Sequence, residues 1–396
     1  MAATLVTVLA IAGVANASET FSKRPSTPRL APLAKSEATP EQQAMLARRG
    51  DYNIYKTLAH HVDLYNRWSP LGQFLLNGSS LPPREREIVM LRMGWLCQSE
   101  YEWSQHARIA KGAPGLTDAE IRRIAQGPRA EWSPFERTLL QMVDELRYDT
   151  KISDATWNAL LEKYSPQQAM EALFTAAQYQ LVSMALNSLG VQLDSELEDR
   201  LPGDLPRPLL AERPPSARLS SPRLRPLSLG EMTTEQRDIV QPQVEDGKLP
   251  NLYATMIHHP GLYVPRLKFG SYLQRDSLLP PATRELLILR TAHLIRSDYE
   301  WVHHVAAAKA AGLSEQDIRR IAQGPQANGW NEQQAAVLRA ADELRREAFV
   351  RDDTWKVLSK YYDTKQLVEI IYTVGGYTMT GLALNSFGVQ LEASVR

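Results

Sequence analysis

Apolar residues recur at helical spacing through most of this chain. In DAEIRRIA (118–125), ERTLLQMVDEL (136–146) and QQAMEALFTAAQYQLVSMAL (167–186), they fall at i, i+3, i+4 and i+7, the period of an amphipathic helix. Pro82 and Pro83 favour a helix start. No sustained alternation of apolar and polar residues bounded by turn residues indicates a strand. The pattern predicts an all-α fold.

The same helical unit occurs twice along the chain. LPPRERE (81–87) returns as LPPATRE (279–285), and ALNSLGVQLD (185–194) returns as ALNSFGVQLE (383–392). Agreement at nearly constant spacing over this length indicates a tandem duplication. A segment rich in Pro and Arg, which cannot sustain a helix, separates the copies. We predict two helical domains at 30–198 and 222–396, and a linker at 199–221.

The N-terminal residues resemble a secretory signal. Residues 5–15 (LVTVLAIAGVA) form an apolar run too short to cross a bilayer, and Ala-Asn-Ala follows at 15–17, as at signal peptidase sites. No Lys or Arg precedes the run, so an apolar tail is the alternative. A signal peptide over 1–17 would place the mature protein in the periplasm or outside the cell; otherwise we expect a cytoplasmic protein.

Composition excludes several kinds of site and partner. The 45 basic and 45 acidic side chains balance to a formal charge of zero, which predicts no nucleic-acid or anionic-membrane surface. The single cysteine, Cys97, excludes an intramolecular disulfide and a zinc site built on several thiolates. No phosphate-binding loop, dinucleotide fingerprint or metal-ligand cluster occurs. We therefore expect a small-molecule ligand and no metal, cofactor, nucleic acid or membrane.

The octet SEYEWSQH (99–106) returns as SDYEWVHH (297–304). Ser99 and Glu102 have the spacing of a capping box, in which Ser and Glu side chains bond free backbone N–H groups at a helix start; Ser297 and Glu300 repeat it. This spacing predicts that a helix begins at each octet. The paired histidines 60–61 and 258–259 also recur, and we interpret them as helix-end packing, with pocket lining as the alternative.

Each octet also pairs a carboxylate with an imidazole. Glu102 and His106 lie four residues apart, as do Glu300 and His304, so each pair shares one helix face. A carboxylate beside an imidazole orients it and favours its protonated form, as in general acid–base catalysis. The pairs are therefore candidate catalytic groups, and a structural role is the alternative.

The predicted helix before each octet, REIVMLRMGWL or RELLILRTAHL, places polar residues among aliphatic ones. Arg92 and Arg290 are surrounded by apolar positions, while Glu87 and Glu285 share a face with small residues. Small residues permit either close helix packing or a pocket. The alternative is that each Glu favours the helix N-terminus and each Arg pairs with a neighbouring acid.

Together these motifs resemble the carboxymuconolactone decarboxylase family, which includes alkylhydroperoxidase D. LPPRERE, then MLR, the octet, a GLT or GLS turn and a DEL helix are similar to that family in both copies. The resemblance covers nearly all of each domain and implies two tandem all-α domains of the alkylhydroperoxidase D-like type. Because small single-unit relatives form rings, it also implies a homo-oligomer.

The peroxidase branch of this family places cysteines seven and four residues before a histidine, and a glutamate nineteen before it. In this sequence those offsets fall on Ser99, Glu102 and Glu87 before His106, and on Ser297, Glu300 and Glu285 before His304. Both cysteines are absent from both copies, and Cys97 has no resolving partner. A serine hydroxyl gains little from a helix N-terminus that would activate a thiol. The missing cysteines therefore argue against thiol peroxidase activity.

The decarboxylase branch shares the Tyr-Glu-Trp-x-x-His run and uses no metal or cofactor, because its lactone substrate accepts the electrons left by departing carbon dioxide. The protein must hold the carboxylate, stabilise an enolate and deliver a proton to carbon. The resemblance implies catalytic roles for Glu87, Glu102, His106, Glu285, Glu300 and His304, and substrate binding by Arg92, Arg290, Ser99 and Ser297. We expect acid–base chemistry on a small carboxylate or lactone; a ligand-binding member without catalysis is the alternative.

Overall fold

Both halves of the chain are helical in the computed structural model, which describes residues 23–208, 210 and 217–393. The signal peptide predicted at 1–17 lies outside the described residues. The first half contains α1 (Pro40–Arg49), α2 (Asn53–Leu58), α3 (Val62–Gln73), α4 (Pro83–Leu96), α5 (Glu100–Ala110), α6 (Asp118–Gln126), α7 (Pro134–Tyr148), α8 (Asp154–Leu161) and α9 (Pro166–Leu189).

The second half repeats this order. Its helices are α10 (Thr234–Val240), α11 (Asn251–Met256), α12 (Pro260–Ser271), α13 (Pro281–Leu294), α14 (Asp298–Ala310), α15 (Glu315–Gln323), α16 (Glu332–Glu347), α17 (Asp352–Leu358) and α18 (Thr364–Phe387). Single 3₁₀ or π turns join some of them, and the described part of the chain contains no β-strand. The predicted all-α fold in two tandem units is confirmed.

Local signals set where many helices begin and end. In α9, Ser165 and Gln168 form a capping box, and Gly190 closes the helix with a φ of 70° that a residue with a Cβ adopts only under strain. Thr117 and Glu120 form the same box at α6. These short-range bonds explain why helix termini were readable from the sequence.

The two longest helices, α9 and α18, pack against each other at the centre of the molecule. Of the described helices, α18 is long and apolar enough to cross a bilayer, but its apolar window is fully buried inside the protein, as in the core helix of a globular fold. Around the pair, the Arg147 guanidinium donates to the Arg345 carbonyl (2.6 Å), and Arg345 donates to the Arg147 carbonyl (2.7 Å). Reciprocal contacts of this kind give the two halves a pseudo-two-fold relation.

An extended arm precedes each unit and reaches across to the other. Arg29 donates to the Ser188 carbonyl in its own half (2.9 Å) and to the Val350 carbonyl in the other (2.7 Å). Arg223 repeats the pattern with the Ser386 (2.9 Å) and Ile152 (2.8 Å) carbonyls. The structure describes these arms from residues 23 and 217 onward. The domain boundaries at 30–198, 199–221 and 222–396 stay a prediction.

The paired histidines lie at the contact between the halves. His61 Nε2 lies 2.9 Å from a Glu369 carboxylate oxygen on α18, and His259 Nε2 lies 2.7 Å from a Glu171 oxygen on α9. Burial would raise the pKa of Glu369, but hydrogen bonds led by that of His61 lower it. The histidines therefore bridge the halves, a role that the sequence did not reveal.

Candidate functional site

In the first half, Glu87 on α4 lies beside Glu102 and His106 on α5. His106 Nδ1 lies 2.7 Å from Glu87 Oε2, which is hydrogen-bond distance. His106 Nε2 lies 3.4 Å from Glu102 Oε2. All three residues are at most 5% exposed. The imidazole is thus fixed by α4 on one side and faces a second carboxylate on the other.

The second half repeats this arrangement on α13 and α14. His304 Nδ1 lies 2.8 Å from Glu285 Oε2, and His304 Nε2 lies 3.6 Å from Glu300 Oε2. A tyrosine ring packs edge-on against each imidazole, with ring centroids 4.7 Å apart for Tyr179 and 5.0 Å for Tyr377. We call each set of two glutamates and one histidine a Glu–His–Glu site.

Burial and opposite charge shift the protonation of both sites. Burial lowers the pKa of His106, but the Glu87 carboxylate raises it by more, and the net shift is upward. Burial raises the pKa of Glu102 to about 7, with the nearby His106 charge acting against it. The same directions hold for His304 and Glu300. The first site therefore holds a carboxyl group, Glu102, that can give or take a proton near neutral pH.

A cavity opens beside each Glu–His–Glu site. The first has a volume of about 140 Å³, similar to cavities that hold a benzene-sized molecule, and the second about 320 Å³. Glu102 and His106 line the first cavity, and the residues around them are Tyr52, Ile54, Tyr55, Trp68, Gly72, Leu76, Tyr101, Gln105, Ile109, Gln178, Tyr179 and Val182. Glu285, Glu300 and His304 line the second. The predicted catalytic residues thus come together beside two partly open cavities.

Comparison with known proteins identifies the repeated unit. The model of the carboxymuconolactone decarboxylase family matches this chain twice, at residues 63–142 and 262–343. Each half of the chain thus carries one segment that matches this family. Each match includes one complete Glu–His–Glu site. A search of curated proteins finds no match to the sequence.

Solved structures similar to this chain correspond in length to one carboxymuconolactone decarboxylase domain. An alkylhydroperoxidase AhpD core protein from Ralstonia eutropha JMP134 is 17% identical, with 44% of this chain and 94% of that chain covered and a TM-score of 0.40. A peroxidase-related protein from Silicibacter sp. TM1040 is 18% identical (45% and 96% covered, TM-score 0.38). The debrominase Bmp8 in complex with 2,3,4-tribromopyrrole is 17% identical (44% and 93% covered, TM-score 0.36).

The two arginines expected to bind substrate are not brought to either cavity. Arg92 donates from Nε and Nη2 to both carboxylate oxygens of Asp144, at 2.7 and 3.0 Å, and from Nη1 to the Ile124 and Ala125 carbonyls. Arg290 makes the same bonds with Asp342 and the end of α15. Both guanidinium groups therefore join helices to each other. This agrees with the alternative interpretation, in which each arginine pairs with an acidic side chain.

The capping boxes predicted at the octets do not form. Ser99 and Ser297 occupy the N-cap positions of α5 and α14, but neither side chain accepts a backbone hydrogen bond. Their hydroxyls are buried without a partner among the described residues. Because Glu102 and Glu300 turn toward the histidines, they cannot reach back to the N-cap. Neither serine lines a Glu–His–Glu cavity.

Cys97 lies at the end of α4, fully buried, with Sγ 3.8 Å from Met93 Sδ. Burial raises the pKa of its thiol, which disfavours the reactive thiolate. The position lines neither Glu–His–Glu cavity. The described residues that line the two cavities therefore include no thiol.

Sequence reasoning missed several residues around these sites. Tyr179 and Tyr377 pack on the imidazoles, Arg284 lines the second cavity, and Arg266 lies beside it. The tyrosines and Arg284 recur at equivalent positions in both copies, so an alignment of the two halves would have marked them. Arg266 has no basic counterpart, because Trp68 occupies its position in the first half.

Proposed function

We propose that the protein is an enzyme whose Glu–His–Glu sites catalyse cofactor-independent acid–base chemistry, decarboxylation or isomerisation, on a small carboxylate or lactone. The supporting observation is the buried imidazole of His106, hydrogen-bonded to Glu87 at 2.7 Å and turned through Nε2 toward Glu102 and the cavity. Its repetition around His304 supports the same role in the second domain.

The arrangement fits proton transfer to carbon. Glu87 accepts the Nδ1–H and fixes the ring, so Nε2 is the nitrogen that can donate toward the cavity. In a decarboxylation, the bond between the substrate carbon and its carboxylate breaks, carbon dioxide leaves, and the electron pair passes into the lactone carbonyl as an enolate. His106 Nε2–H then gives its proton to that carbon, and Glu102, with its raised pKa, returns a proton to the imidazole.

Thiol peroxidase activity has no support at these sites. The peroxidase cysteines are replaced by Ser99, Glu102, Ser297 and Glu300, and Cys97 is buried with a raised thiol pKa. We expect background turnover of an organic hydroperoxide with a dithiol reductant, in both the wild type and Cys97→Ser. Substantial turnover that disappears in Cys97→Ser would contradict this expectation.

The test uses the full chain with 4-carboxymuconolactone and the unsaturated γ-lactone α-angelica lactone. Carbon dioxide release and deuterium incorporation from D₂O report the two reactions. We expect turnover that falls by about 10²–10⁴ when Glu102→Gln and Glu300→Gln are combined, because proton transfer is lost. His60→Gln, which changes a partly buried histidine outside the cavities, is the matched control and should retain full turnover.

His106→Gln and His304→Gln are a second pair of variants. Because each histidine is buried and bonded to a glutamate, their replacement is expected to cost roughly 1–3 kcal/mol of folding stability, so melting curves accompany the rates. Binding of either lactone without turnover in the wild type would favour a ligand-binding protein. Unchanged turnover in the folded glutamate double variant would reject the proposed chemistry.

A further inference from the structure

The two cavities differ at several equivalent positions, 198 residues apart. Tyr52 and Gln178 of the first cavity are replaced by the less polar Pro250 and Gly376, whereas four other lining side chains have a more polar or more basic counterpart in the second half. The replacements are Trp68 by Arg266, Leu76 by Gln274, Gln105 by His303 and Val182 by Thr380. The Glu–His–Glu residues are the same in both halves. The catalytic groups are thus constant while the surroundings change from aromatic and aliphatic to hydrogen-bonding and basic.

Arg266 is the largest of these differences. It lines a pocket of about 40 Å³ that shares Leu252 and Tyr253 with the His304 cavity. Its guanidinium donates to the Thr380 hydroxyl, and no described carboxylate forms an ion pair with it. Glu300 is the acidic group whose charge acts on it most strongly. A guanidinium carries five N–H donors, so most of its bonding capacity remains for a ligand.

A second arginine lines the adjoining His304 cavity. Arg284 lines the His304 cavity directly, and its Nε is buried without a hydrogen-bond partner among the described residues. Its closest carboxylate contact is 3.6 Å, from Nε to Glu285 Oε1. Two incompletely bonded guanidinium groups beside a cavity favour a bound anion, because such groups recognise carboxylates through paired N–H donors.

The first cavity offers a ligand different charged groups and hydrogen-bonding atoms. None of the described residues that line it is Lys or Arg. Arg86, the equivalent of Arg284, also has a buried Nε without a partner, but it does not line this cavity, so Arg266 is the arginine that distinguishes the halves. Two lining side chains carry a buried polar atom without a partner, Nε1 of Trp68 and Oε1 of Gln178. Trp68 Nε1 can donate to a carbonyl oxygen, and Gln178 Oε1 can accept from an N–H or O–H group, so an uncharged compound with both groups would satisfy the two atoms. The aromatic and aliphatic wall disfavours an anion, which would lose its hydration there.

We propose that the two domains bind different substrates, the second a carboxylate-bearing small molecule held by Arg266 and Arg284, the first an uncharged ring such as a neutral lactone. This assignment rests on the proposed function, because it takes both cavities as substrate sites. It also replaces the carboxylate-binding role expected for Arg92 and Arg290, whose guanidinium groups are occupied. The two halves are then complementary rather than redundant.

The test measures calorimetric binding of benzoate and benzamide, which share a ring and differ in charge, to the full-length protein. We expect each probe to bind at one site per chain, without competition. Arg266→Met should weaken benzoate binding by about tenfold or more, the effect of losing a hydrogen bond to a charged group. Arg266→Lys should retain most of that affinity, and neither change should affect benzamide. Trp68→Phe is the matched variant, expected to weaken benzamide alone.

Unchanged benzoate affinity in a folded Arg266→Met protein would overturn the assignment, as would competition of the two probes for one site in the wild type. The competition experiment needs no variant, so it decides the question even if Arg266→Met does not fold. Binding is measured without turnover. If the probes divide between the sites but neither lactone is converted, the proposed catalysis fails while the division of ligands stands.

Discussion

The Glu102 carboxylate forms no hydrogen bond with any described group, although it lies 3.4 Å from His106 Nε2. Burial raises its pKa from 4.5 to about 7. A carboxyl group whose pKa is higher in the folded than in the unfolded protein contributes its full stability at pH values below the unfolded pKa, about 4.5. That contribution is lost as the pH rises through the folded pKa, about 7. We therefore expect Glu102→Gln to gain stability relative to the wild type as pH increases over this window.

Thermal unfolding at a series of pH values between about 5 and 8 checks this expectation. Glu162→Gln, at an exposed position on the surface, is the control and should follow the wild type throughout. A difference between Glu102→Gln and the wild type that stays constant with pH would show that Glu102 does not titrate in this range.

Residues close in sequence were the ones whose contacts could be foreseen. Glu102 and His106 are one helical turn apart, so their spacing alone placed them together. Glu87 reaches His106 from another helix, and only the family resemblance pointed to that contact. The substrate-binding role predicted for Arg92 came from the family resemblance, and the acid that pairs with it, Asp144, lies 52 residues away on α7. Nothing in the local pattern around Arg92 identifies that carboxylate.

At the scale of the helix, α5 begins at Ser99 without a capping bond, whereas α9 begins at Ser165 with one. A side-chain cap contributes about 1 kcal/mol, so we expect Ser165→Ala to lose about that much. Ser99→Ala removes a buried hydroxyl that has no partner and should leave the melting temperature unchanged or higher. Denaturant unfolding of the two variants side by side measures the contrast, and an equal loss in both would show that Ser99 does cap α5.

The central helices carry buried carboxylates that bind the other half. Glu369 on α18 accepts hydrogen bonds from Ser277, Tyr272 and the Leu278 amide as well as from His61. These bonds outweigh burial and lower its pKa. A lowered pKa gives stability that is present above the unfolded value and lost as pH falls through the folded one.

We expect Glu369→Gln to cost roughly 1–3 kcal/mol at neutral pH, because donors around it lose a charged acceptor. The loss should shrink as the medium is acidified. Urea unfolding at neutral and acidic pH measures it, with Glu162→Gln as the exposed control. A loss that does not depend on pH would mean that packing, not charge, makes Glu369 important.

The helix pattern was readable from the sequence, but the way the helices of the two halves meet was not. The segment that forms α9 showed the apolar period of a helix, which predicts a buried face without naming the partner that covers it. The structure supplies that partner within the chain. The apolar face of α9 is thus covered by the other half of the same chain. The homo-oligomer that the family resemblance implies stays a prediction.

For the whole molecule, we expect the halves to depend on each other. Residues 1–208 expressed alone would expose the face of α9 that α18 covers, and would leave Arg147 without the carbonyl of Arg345. The isolated half should therefore self-associate or aggregate, because a face of this kind seeks a similar surface. Light scattering at micromolar concentration measures its mass. A stable, soluble monomer of this half would show that the domains fold independently.

In a dimer of two identical short chains, one gene encodes both subunits, so every mutation appears at both sites at once. The pseudo-two-fold pair formed by α9 and α18 comes from two separate stretches of one gene, which can mutate separately. An arginine can then arise at position 266 while position 68 keeps its tryptophan. Translation of a single message delivers the two unlike sites in equal number, already joined.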